Sequence, residues 1–126
     1  MRAVCFIQEI SNSDLTLWQQ ILLCRKALRK LRWPCVQEYY AQAGTEEQPL
    51  SLRPGMSELL RAAAAGEVDV LLVIDTGHLH CGRPELEGLL ATLLQYGIHT
   101  FGVKSGWIEP GGRRWMALPG YDEPCL

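Results

Sequence analysis

Residues 68–74 read "VDVLLVI", a near-unbroken β-branched and aliphatic run too short for a core helix and too uniformly apolar for a strand with one wet face. Such a run suits a central strand covered on both sides. It therefore points to a parallel sheet with helices above and below it.

The rest of the chain fits that frame. "AVCFI" (3–7) reads as a first buried strand. From residue 14 to residue 32 the period changes, with Leu17, Ile21, Cys24, Leu28 and Leu31 on one helical face and Ser13 or Asp14 as the N-cap. Pro34 ends that helix, and "CVQEYY" (35–40) is a second strand by its Val and Tyr content. "AQAGTEEQPLSLRPG" has no periodicity and reads as a mobile loop. A helix follows over 53–66, with Pro54 in its first turn and Gly66 just past its end. Another spans 83–97, opened by Pro84 and closed by Gly97, and "IHTFGV" (98–103) is a fourth strand. The fold class expected is α/β: a three-layer, doubly wound, mostly parallel four-stranded sheet with helices on both faces. Residues 104–126 form a short tail, with a hairpin turning at Pro110-Gly111-Gly112 and Trp107 packing against Trp115.

Size and charge narrow the function classes. The 126 residues suit one domain over 1–103 plus the tail, with no separate DNA-binding domain. A net charge of -2 argues against strong nonspecific attraction to nucleic acid, although a local basic patch is compatible with it. The outer surface of the first helix carries Arg25, Lys26, Arg29, Lys30 and Arg32, whose like charges at i,i+4 cost a little helix stability; a solvated helix face is the preferred reading of the cluster. The start "MRAVCFIQEI" is too weakly apolar for a signal peptide, and no stretch has membrane-spanning length. Five cysteines without a CxxC pair fit reduced thiols in the cytoplasm.

In a parallel sheet the ligand site lies beyond the C-terminal strand ends, which here means residues 8–13 and 75–83. The second stretch, "DTGHLHCGR", allows several chemistries. His78, His80 and Cys81 are weak candidate metal ligands. Gly77 and Gly82 have the spacing of a phosphate loop, but Arg83 and Pro84 stand where its lysine and hydroxyl residue belong, so a phosphate or nucleotide binder at 77–83 is a secondary reading. Cys81 with His78 offers a thiol and a base, without an orienting group.

Four landmarks give a further reading: "AVCFIQEIS" (3–11), "LRPGMSELLRAAAAGEVDVLLV" (52–73), "GHLHC" (77–81) and "LLATLLQYGIHTFGV" (89–103). In this order they resemble the catalytic domain of the serine recombinases, the resolvase/invertase family, over residue 2 to about 103. The resemblance implies the fold named above. It also implies a serine attack on a DNA phosphodiester without metal or cofactor, with arginines neutralising the phosphate. Position by position, Phe6 stands for the family's tyrosine, Gln8 for its first arginine and Ile10 for the nucleophile, with Ser11 one residue away. Gly77 stands for its aspartate, and His78 and Cys81 for two more arginines. Arg53 keeps the arginine of the R-P-G element, and Arg83, at a helix N-terminus, joins Arg53 as a candidate anion-binding residue. These substitutions lead to the expectation of a recombinase-like domain that has lost strand cleavage and acts as an interaction or regulatory module. A divergent recombinase using Ser11 is the alternative. The partners expected are a second copy or another protein; DNA follows from the resemblance alone, and no membrane is expected.

Overall fold

A computed structural model describes residues 1–110 apart from 12 and 14. Strands β1 (Ala3–Gln8), β2 (Cys35–Ala41), β3 (Val70–Val73), β4 (His99–Gly102) and β5 (Gly106–Ile108) form one sheet in the order β2-β1-β3-β4-β5. The first four run parallel, and β5 pairs antiparallel with β4. Helices α1 (Leu17–Leu31), α2 (Met56–Ala64) and α3 (Arg83–Gln95) make the connections. The α/β, doubly wound expectation holds, with one strand more than the four expected.

The apolar run does what its composition requires. Val70, Leu72 and Ile74 join the core beneath α1, while Leu71 and Val73 join the core beneath α2 and α3. Side chains alternate across the pleat, so a strand buried on both faces must be apolar at every position.

The extra strand corrects the reading of the tail. A tight turn over 103–105 folds Trp107 back onto β4, where its ring meets Phe101 at 5.2 Å and Trp33 at 5.5 Å between centroids. The Pro110 turn and the Trp107–Trp115 contact involve residues 111–126, outside the described part.

Boundaries shift for local reasons. Thr16, rather than Ser13 or Asp14, caps α1: its hydroxyl accepts from the Gln19 N–H, and the Gln19 side chain accepts in return from the Thr16 N–H. Pro54 lies ahead of α2 instead of inside it, because Gly55 is the N-cap with φ 86°. A Cβ there would approach the Cβ of Tyr39 to 2.8 Å, so the glycine of the R-P-G element meets both a dihedral and a space requirement. Among the described residues no helix is long and apolar enough to cross a membrane.

Candidate functional site

With α1 on one face and α2 and α3 on the other, the chain reverses direction between β1 and β3. That switch point opens a crevice beyond their C-terminal ends. A cleft of about 630 Å³ lies in this region, lined by residues 46–49, 76–77 and 80–82 with Arg53 and Glu85; His78 is not part of the lining.

Arg53 decides what this cleft can do. Its side chain is at the bottom of the site, with the residue only 3% exposed. Its Nε donates to the Gln48 carbonyl at 3.0 Å. One terminal nitrogen donates to Gln8 Oε1 at 3.3 Å and to the Leu79 carbonyl. The other donates to the carbonyls of Glu46 at 2.9 Å and His80 at 2.7 Å. A guanidinium has five N–H donors, and all five here meet protein acceptors.

The "DTGHLHCGR" loop is shaped for this arrangement. The Asp75 carboxylate accepts from the His78 N–H at 2.8 Å and starts a 3-10 turn over Gly77–Leu79. His80 then adopts a left-handed φ of 49°. The reversal presents two successive carbonyls to Arg53.

Gln8, at the end of β1, is 2% exposed and ties the same loops together. Its amide donates to the Glu9 carbonyl at 2.8 Å and Thr45 Oγ at 3.1 Å, while its oxygen accepts from Arg53. A neutral amide can both donate and accept; a second arginine here could accept nothing from Arg53.

The remaining candidates are scattered. Gly77, His80 and Cys81 line the cleft. Ile10 is half-buried and Ser11 exposed, just past β1. His78 turns its Nδ1 toward Asp75 at 3.6 Å, and His80 places Nε2 3.8 Å from Glu47. The two histidines therefore face different carboxylates, and among the described residues no cluster of His, Cys, Asp and Glu is placed to hold a metal ion. The Arg83 side chain is 73% exposed and lies beside Glu87 at 3.7 Å, so it does not meet Arg53 in the cleft. Burial raises the Cys81 thiol above its ordinary range, which works against a reactive thiolate.

Sequence reading missed Glu46. The segment it treats as a mobile loop contains two 3-10 turns, Thr45–Glu47 and Leu50–Leu52, and buries Glu46, Leu50 and Arg53. The Glu46 carboxylate accepts from the Gly44 N–H at 2.7 Å and the Ser11 N–H at 3.2 Å. Its own N–H, the Ser11 hydroxyl and N–H, and the Gly44 N–H hold its pKa down to about 2, against the opposing effect of burial. The only sequence signal is an acid directly after a Gly-Thr pair, which is common on any surface.

This shift has a sign. A carboxyl with a lower pKa folded than unfolded stabilises the fold above its ordinary 4.5, and that contribution is lost as pH falls toward 2. The melting temperature is therefore expected to fall over this window more steeply in the wild type than in Glu46→Gln. Equal slopes would show that the carboxylate is not held as described.

No family model matches the chain. No curated protein matches it either. Solved structures do. The N-terminal catalytic domain of TP901-1 integrase superposes with a TM-score of 0.74 at 17% identity, covering 84% of this chain and 80% of that one. The C-terminal catalytic domain of ISC1926 TnpA, an IS607-like serine recombinase, gives 0.67 at 20% identity, over 82% and 70%. A resolvase family site-specific recombinase from Streptococcus pneumoniae gives 0.69 at 14%, over 84% and 74%. The chain has the fold of serine recombinase catalytic domains.

Proposed function

Starting from that fold, we propose that the chain is a recombinase-like domain that does not cleave DNA and acts as an interaction or regulatory module. The observation that carries the reading is the full engagement of Arg53: among the described residues it is the one arginine in the cleft lining, and it has five protein acceptors for five donors. Cleaving a phosphodiester requires cations around an oxygen gaining negative charge, and removing one such donor typically lowers the rate on the order of 10²- to 10³-fold. Here Gln8, His78 and Cys81 stand at three arginine positions. Glu46, Glu47 and Glu85 on the cleft wall add repulsion for a phosphate.

Ser11 does not restore the chemistry. Its hydroxyl lies against Glu46, but a carboxylate with a pKa of about 2 is a feeble proton acceptor at neutral pH. Incubation with supercoiled plasmid, followed by denaturing trapping, is expected to yield no covalent protein–DNA adduct. An adduct that forms in the wild type and disappears in Ser11→Ala would replace this reading with a divergent recombinase. The free thiols of the described cysteines fit a cytoplasmic module whose partner is a second copy or another protein.

A further inference from the structure

Helix α1 has an unusual distribution of charge. Residues 25–32 hold five of the chain's 12 Lys and Arg and none of its 14 Asp and Glu. A segment at +5 thus belongs to a chain at -2. All five cations are exposed. Helix-dipole compensation accounts for Arg29 and Lys30 in the last turn, but not for Arg25 and Lys26 one turn earlier. Each of those two sits four residues from a like charge, which costs helix stability.

Aromatic surface lies alongside. Trp18 is 58% exposed, with the Arg25 guanidinium 5.8 Å from its ring centroid. Arg25 reaches across to β2, where it pairs with Glu38 at 2.8 Å, and Glu38 accepts from the Tyr40 hydroxyl at 3.0 Å. Trp18, Arg25 and Arg29 fall at helical spacing on one stripe of α1, and Tyr40 borders it from the sheet edge. None of these residues lines the cleft.

From this charge and ring pattern we infer that the outer face of α1, together with the β2 edge, binds single-stranded nucleic acid. Lys26, Arg29, Lys30 and Arg32 face the phosphates, Arg25 being held by Glu38, and Trp18 stacks on a base. Every base presents a π-face, and a duplex keeps its faces covered, so exposed rings beside a basic stripe favour the single strand. The inference concerns a surface separate from the cleft and stands whether or not the cleft cleaves DNA.

The test is fluorescence anisotropy of a labelled oligothymidine of about 20 nucleotides with the full chain, from about 50 to about 200 mM salt. Three or four phosphate contacts predict a log–log salt slope of about -2 to -3. Lys26→Gln/Arg29→Gln/Lys30→Gln is expected to flatten that slope by about 2, and Trp18→Ala to weaken binding about tenfold at every salt concentration. No response at low salt overturns the inference, as does a response unchanged in both variants. Equal or tighter binding of a duplex of the same length removes the stacking role and overturns it too. Self-association in sedimentation velocity that is lost in Trp18→Ala, without an oligonucleotide response, assigns the face to a second copy instead.

Discussion

Replacing Arg53 with methionine is expected to destabilise the protein by on the order of 4 kcal/mol, a large share of the roughly 5–15 kcal/mol that holds a domain of this kind together. Methionine fills much of the same volume and leaves five acceptors without donors. Four are backbone carbonyls, of Glu46, Gln48, Leu79 and His80, and the fifth is the Gln8 side-chain oxygen. Each buried acceptor left unpaired costs about 1–3 kcal/mol, less whatever relaxation and entering water recover. Arg53→Lys is the more telling variant. A lysine has three donors on one atom and cannot span carbonyls on both sides of the cleft, so it should recover little stability. A residue retained only to attract a phosphate would tolerate lysine, and its loss would leave the denaturation midpoint close to that of the wild type. Denaturant titration of both variants distinguishes the two roles, and a loss below about 1 kcal/mol in Arg53→Met would contradict the clamp.

Trp107→Ala is expected to cost about 3–5 kcal/mol, the usual range for emptying a buried aromatic site. Trp107 is 3% exposed and packs edge-on against Phe101 and obliquely against Trp33, closing the sheet edge beneath α1. A chain ending at Val103 is likewise expected to be severely destabilised, because it exposes Phe101 and Trp33 together. If either change shifted the melting temperature by only a few degrees, β5 would be an ornament on a four-stranded sheet rather than part of its core.

Most of the fold was legible because it rests on periodicity. The continuous run at 70–74, the five-residue stripe of α1 and the glycines that end α2 and α3 each report a local rule that any neighbour must accommodate. The fifth strand was not legible. "GWI" is three residues long, and nothing within it distinguishes a strand from a loop; its pairing with β4 makes the difference. Glu46 was hidden for the same reason, since its carboxylate is held partly by the backbone of Ser11, 35 positions away.

The sequence by itself determined the order of the first four strands and the three helices, the faces they bury and the absence of arginine at positions 8, 78 and 81 beside the switch point. It left open what Arg53 faces, and only the tertiary structure decided that. The acceptors of Arg53 include Gln8, 45 residues before it, and the carbonyls of Leu79 and His80, 26 and 27 after it. Burial periodicity is written along a single segment. Hydrogen-bond saturation depends on loops from three parts of the chain meeting at one guanidinium, so it exists only once the sheet has brought them together.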